Sequence, residues 1–213
     1  MKMKSKLFGF DEVIEELSYR VQAGSMVFVE GRRGSGKTAL LKAIIDRFRG
    51  KKRVIYIDCN TIKDLDIEAV MQRRYGLIGR LMGITPKNMV LLADNVQHLS
   101  RRNVQRLQYF FDHNYIYSVI FTGESYAKSK LTKSLRDRIG GRVMRVPVLS
   151  PGDAIEIAHE RFSLEDEAIV KKIYKHSKGV ADFIDNCIKV GEFAEKNNIA
   201  RLKEEDVKTA LGK

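Results

Sequence analysis

Cysteine is nearly absent from this chain of 213 residues: Cys59 and Cys187 are its only two. Two thiols so far apart make no disulfide framework, and neither has the spacing of a metal-binding cluster. No apolar run approaches the roughly 20 residues that a membrane span needs. The opening Met1-Lys2-Met3-Lys4-Ser5-Lys6 lacks the apolar core of a secretory leader. Internal repeats and low-complexity tracts are missing as well. These absences lead us to expect a reduced, cytoplasmic protein with no membrane partner. A hydrophobic content of 44% beside 31% charged residues suits a globular chain with a real core, as one domain or one domain plus a small appendage.

Acidic residues are also in short supply, 27 against 39 basic ones, for a net charge of +12 and an isoelectric point near 9.7. Such a surface attracts polyanions, and nucleic acid, or a protein complex already bound to it, is the expected partner. A Lys-rich solvated surface would produce the same count.

The most informative stretch is Met26-Val27-Phe28-Val29-Glu30-Gly31-Arg32-Arg33-Gly34-Ser35-Gly36-Lys37-Thr38. Its first five residues read as a short buried strand, and Gly31 to Thr38 fit G-x-x-x-x-G-K-[ST], the phosphate-binding loop. Gly31, Gly34 and Gly36 allow the backbone to turn successive N–H groups inward on phosphate oxygens, with Arg32, Arg33 and Ser35 between them. Lys37 is placed to reach the β- and γ-phosphates, and the Thr38 hydroxyl to ligate Mg²⁺. A helix over about 38–48, with Ala39 in its first turn, points its positive end at the same phosphates. A Gly-rich turn can be geometry alone, but an accidental match in a chain of this length is on the order of one in a hundred.

Hydropathy patterning orders the rest. Phe10, Val13, Ile14 and Leu17 recur at helical spacing. Short β-branched or apolar runs at 53–58, 89–93, 117–122 and 142–148 read as further strands, separated by helical patterns at 61–83, 101–113 and 124–139. Five strands alternating with helices argue for an α/β domain with a parallel sheet and helices on both faces. Beyond Ser150 the strands stop. Ser150-Pro151-Gly152-Asp153 and Ser163-Leu164-Glu165-Asp166 read as helix starts. Helices are expected near 153–162, 164–177, 180–196 and 204–211. The expected division is therefore an α/β nucleotide-binding domain over 1–150 and a small all-helical domain over 151–213.

Asp94 ends the most apolar strand, where it would sit beside the phosphate loop and hold Mg²⁺ through water. The alternative is a strand-end Asp that only caps the next turn. Asn95 follows it, and an amide positions water without accepting a proton. Hydrolysis is then slow, or another group helps; Gln97 and His98 are near in sequence, the latter reading best as a surface histidine. Thr122 ends the next strand, where it either touches the γ-phosphate or the attacking water, or merely begins the Thr122-Gly123 turn. Arg136, Arg138, Arg142 and Arg145 surround the Gly140-Gly141 turn, either as basic surface or as a source of an arginine for a neighbouring subunit's ATP.

With these elements in order, the chain resembles the AAA+ ATPases from about Leu7 to Leu211, and within them the origin-recognition initiators and helicase loaders. Leu7-Phe8-Gly9-Phe10-Asp11-Glu12-Val13-Ile14-Glu15-Glu16-Leu17 is similar to the segment that precedes the sheet and lies over the adenine in that clade, which brings Phe8 into the cofactor set. Gly31–Thr38 matches Walker A. Val90-Leu91-Leu92-Ala93-Asp94-Asn95 matches Walker B except at its last position, where the family's usual Glu is Asn95. Val119-Ile120-Phe121-Thr122 resembles the sensor 1 strand, with Thr for the more usual Asn. Asp137-Arg138-Ile139-Gly140-Gly141-Arg142 resembles the arginine-finger segment, with Arg138 and Arg142 as its two candidates. The helical part resembles the family's lid, with Asp182 where many relatives carry a sensor 2 Arg, and no winged-helix segment follows among these residues.

The resemblance implies ATP and Mg²⁺ as cofactors and DNA ahead of RNA as partner. The implied function is a weak ATPase used as a nucleotide-dependent switch on DNA or a nucleic-acid machine. Two other readings stay open: a homo- or hetero-oligomeric motor with its arginine supplied in trans, and a non-catalytic module of the same fold that binds a protein.

Overall fold

A computed structural model of the chain describes residues 7–61, 87–199 and 201–212. The helical pattern expected over 61–83 lies outside the described residues apart from Thr61. Packing divides the chain into two units. A sheet unit comprises Glu12–Arg33 and Lys37–Val146; a helical unit comprises Met1–Asp11, Gly34–Gly36 and Pro147–Lys213.

In the sheet unit, helix α1 (Asp11–Gln22) leads into strand β1 (Met26–Glu30), and the phosphate-loop segment leads into α2 (Lys37–Phe48). Then come β2 (Val54–Asp58), β3 (Met89–Asp94), a 3-10 turn at Val96–His98, α3 (Arg101–Asp112), β4 (Ile116–Gly123), α4 (Lys133–Ile139) and β5 (Val143–Arg145). The five strands are all parallel, in the order β2-β3-β4-β1-β5. Every residue of β3 is buried. Met89, Leu91 and Ala93 join Val104, Leu107 and Phe110 of α3 in one apolar cluster, and the alternate residues Val90 and Leu92 are equally buried on the other face. A strand covered on both faces reads as an unbroken apolar run, which is why Met89–Ala93 shows no alternation.

Two expected elements of the sheet unit differ in extent. The segment 124–139 is helical only over Lys133–Ile139. Before it, Ser129 N–H and Oγ both bond Tyr126 O, and the Arg136 guanidinium donates to the carbonyls of Ala127, Ser129 and Leu131. Those carbonyls are thus satisfied without helix, and Thr132 caps α4 by accepting from Leu135 N–H at 3.3 Å. The last strand stops at Arg145, two residues before Pro147, which has no N–H to give a ladder.

The helical unit holds α5 (Pro151–Phe162), α6 (Glu167–Lys175), α7 (Val180–Lys196) and α8 (Glu204–Leu211). Ser150 caps α5 in a reciprocal box: Asp153 N–H donates to Ser150 Oγ (3.0 Å) and Ser150 N–H to Asp153 Oδ2 (3.1 Å). The second expected start is displaced. Ser163 ends α5 with φ 52°, and Asp166 itself caps α6 by accepting from Ala168 N–H (3.0 Å) and Ile169 N–H (3.4 Å). Phe8, Leu149, Ala154, Ile157, Ile173, Phe183 and Val207 share the core of this unit.

Candidate functional site

In open parallel sheets, ligands gather outside the carboxyl ends of the strands. In the sheet unit those ends carry Glu30 (β1), Asp58 (β2), Asp94 (β3) and Thr122-Gly123 (β4). Register decides which of them meet. Asp58 pairs with Asp94 across β2 and β3, and the pairing of Ala93 with Phe121 brings Asp94 beside Thr122.

Asp94 has no exposed surface, so its charge must be met by hydrogen bonds. Its Oδ2 accepts from Thr38 Oγ1 (2.6 Å) and from the Tyr56 hydroxyl (3.1 Å). Its Oδ1 accepts from Thr122 Oγ1 and from Asn95 N–H at 3.0 Å. The Thr122 hydroxyl is thus engaged by the carboxylate at the end of β3. Burial raises the pKa of the Tyr56 phenol, with the charge and hydrogen bond of Asp94 adding to it, so this hydroxyl stays a donor.

Lys37 opens α2 and is buried. Its ammonium donates to the carbonyl oxygens of Gly31 (2.6 Å) and Arg32 (2.8 Å). Burial lowers its pKa, against the opposing pull of Asp94 and Glu124. Gly31 N–H bonds Gly123 O at 3.1 Å, tying the start of the loop to the end of β4. The loop tip, in the helical unit, explains two glycines directly. Gly34 and Gly36 have φ 76° and 95°, and a Cβ on Gly36 would lie 2.9 Å from the Phe10 ring. Gly31, expected to need the same freedom, is not among the glycines with positive φ. Gly34 O accepts from Ala181 N–H at 3.1 Å.

Asn95 adopts the left-handed conformation, φ 57° and ψ 47°, which Asn tolerates better than most residues. The bend carries its Nδ2 back to the end of β2, where it donates to Asp58 Oδ1 at 3.0 Å. Sequence reasoning missed Asp58 and Tyr56. The available signal was an Asp closing a parallel strand, with Tyr two residues earlier on the same face; the cross-strand register was needed to read it.

Other expected residues lie elsewhere or are engaged. Phe8 packs in the helical core. Asp182 Oδ2 accepts from Lys178 N–H at 2.7 Å near the start of α7. Arg138 pairs with Asp112 at 2.8 Å, while Arg142 donates through Nε to Met26 O (3.1 Å) and through its terminal nitrogen to Arg138 O. Arg32, Arg33 and Gly34 are exposed, and Ala39 is partly buried in the first turn of α2.

The donor set suits Mg²⁺, which keeps several waters and takes one or two protein oxygens: Thr38 Oγ1 and the Asp94 carboxylate are already in contact. A phosphate also suits the loop, where the Ser35 hydroxyl is buried without a partner.

The class defined by this sheet order, phosphate loop and strand-end aspartate is a P-loop ATPase domain. The model of the family described as "AAA domain" matches residues 23–151, and the chain belongs to that family. RuvB of Thermotoga maritima, in a P216G mutant, superposes with a TM-score of 0.74 at 17% identity, over 97% of this chain and 70% of that one. Cdc6p of Pyrobaculum aerophilum gives a TM-score of 0.74 at 17% identity, over 97% of this chain and 67% of that one. The ORC1 protein of Aeropyrum pernix, in complex with DNA, gives 0.72 at 13% identity, over 97% and 65%. Among curated proteins, the mitochondrial iron-sulfur clusters transporter atm1 of Neurospora crassa is 28% identical over 101 residues, 46% of this chain. The chain spans only 13% of that transporter's length. Among the described residues, no helix is long and apolar enough to cross a membrane.

Proposed function

We propose that this protein binds ATP with Mg²⁺ and works as a slow ATPase, a nucleotide-dependent switch acting on DNA or on a DNA-bound machine. The observation that carries the reading is the Thr38–Asp94–Thr122 network, which joins the Walker A helix to the ends of β3 and β4 through one buried carboxylate. Thr38 and Asp94 would hold Mg²⁺, whose charge would neutralise the phosphate oxygens it touches. Lys37 would exchange its loop carbonyls for the β- and γ-phosphates, and Gly31–Thr38 would supply the N–H cradle. Thr122, already bound to Asp94, would sense whether a γ-phosphate is present. Asn95 would hold water without taking its proton, so turnover is slower than with the family's usual Glu and occupancy carries the signal.

The DNA limb is supported by the net charge of +12, by exposed Arg101 and Arg102 on α3, and by exposed Lys128 and Lys130 before α4. The likeness of the fold to an ORC1 protein solved with DNA supports it too. The test is binding of a labelled duplex across salt concentration, with MgATP, with MgADP and without nucleotide. We expect affinity to fall steeply with salt and to differ at least fivefold between ATP and ADP. Equal affinity in all three nucleotide states would refute the switch, and salt-independent or absent binding would refute the DNA limb.

A further inference from the structure

We propose that Asp58, at the end of β2, is the carboxylate that takes the proton from the attacking water, with Asn95 as the amide that shares that water. The inference rests on the ATP-binding reading above and names the base that the reading leaves open. Asp58 stands in register with Asp94, so both carboxylates emerge at the same edge and on the same face of the sheet. It is partly exposed, so water can reach it, whereas Asp94 is sealed by four hydrogen bonds.

The hydrogen bonds fix the polarity of the pair. A carboxylate only accepts, so the Asn95 atom 3.0 Å from Asp58 Oδ1 is the NH₂ nitrogen. Asn60 N–H also donates to that same Oδ1, at 3.0 Å. Oδ2 of Asp58 and the amide oxygen of Asn95 are the acceptors left over from that contact, on two side chains joined by one hydrogen bond. In the proposed step a water donates one O–H to each and presents its lone pair to phosphorus. As its oxygen bonds to the γ-phosphorus, the bridging bond to the β-phosphate breaks and ADP leaves. The water's proton passes to Asp58, and from there to the released phosphate or to solvent. The family's single Glu is here divided between two side chains on adjacent strands. Glu124, whose charge acts on Lys37, is the rival carboxylate at this edge, but no hydrogen bond links it to Asn95 among the described residues.

The experiment is MgATP affinity beside single-turnover hydrolysis for the wild type, Asp58→Asn, Asp58→Glu, Asp58→Ala and Glu124→Gln, with formate added to Asp58→Ala. Losing a positioned base costs about 10²–10⁴ in rate. We expect Asp58→Asn to lose at least 100-fold in rate with affinity within threefold, and Asp58→Glu to keep at least ten times the rate of Asp58→Asn. Formate should raise Asp58→Ala at least fivefold while leaving the wild type unchanged, which a purely structural role for Asp58 would not produce. Should Asp58→Asn fail to fold, the comparison of Asp58→Glu with formate-treated Asp58→Ala decides. Wild-type rate retained in Asp58→Asn, loss confined to Glu124→Gln, or tight ATP binding with no hydrolysis in the wild type would each overturn the inference and leave ATP binding standing. No ATP binding by the wild type would overturn the proposed function itself.

Discussion

Cys59 sits beside the proposed base in sequence, and its own thiol is buried. Burial pushes its thiol up to about 12, with the charges of Asp58 and Asp94 adding to the effect; burial alone brings Cys187 to about 12. At pH 8 the thiolate fraction at either site is on the order of 10⁻⁴, against roughly a tenth for a thiol at the ordinary value near 9. We expect native protein to resist alkylation at pH 8 and to label at both cysteines once urea unfolds it. The linkage has a definite sign. Between the ordinary thiol value, near 9, and the folded value the unfolded chain gives up protons that the native chain keeps. Stability should therefore fall as pH rises from about 9 toward 12, a loss measurable by urea denaturation at stepped pH. At this scale the sequence was partly legible. Lys37, Thr38, Asp94 and Thr122 could be singled out because a local motif or a strand end marks each one, and the fold joins Thr38 and Thr122 to Asp94. Asp58 and Tyr56 were missed because their partner lies some 36 residues away and is fixed only by strand pairing.

Among the elements, α5 has the clearest start signal, and it can be tested alone. Ser150 and Asp153 satisfy each other's N–H groups, and Pro151 occupies a position whose N–H would have no partner. We expect Ser150→Ala to destabilise the protein by about 1 kcal/mol, read as a lower urea midpoint with unchanged slope. ATP affinity should hold, since the cap lies outside the phosphate-binding residues. Elements were legible where burial and local signals agree: β1, β3, α3 and α7 fall within a residue or so of their expected bounds. The basic segment 124–139 misled because charge and helical propensity say nothing of where carbonyls find donors. There Arg136 supplies donors from within the segment and holds most of it out of helix. Ser163 misled for a related reason, since an S-x-x-D spacing fits a cap whether the Ser or the Asp does the capping.

For the whole molecule, ligand binding and folding share one equilibrium. If MgATP binds only the folded chain, ligand at 100 times its dissociation constant adds about 2.7 kcal/mol. We expect a corresponding rise in melting temperature, lost in Lys37→Ala and absent with adenosine, which lacks phosphates. The fold class was readable because five apolar strands separated by helices leave few alternatives to a parallel sheet. The strand order was not, because every parallel order shares that pattern.

That order has a consequence for synthesis on the ribosome. Of the described strands β1 is made first, yet it lies between β4 and β5, and neither neighbour begins before residue 116. At 5–20 residues per second, the apolar Met26-Val27-Phe28-Val29 run waits roughly 5–20 s for a pairing partner. During that interval it is an unpaired β-forming segment in a crowded cell. The nascent chain is thus a natural client for a holding chaperone, and slowed translation between β1 and β4 would lengthen its exposure to aggregation.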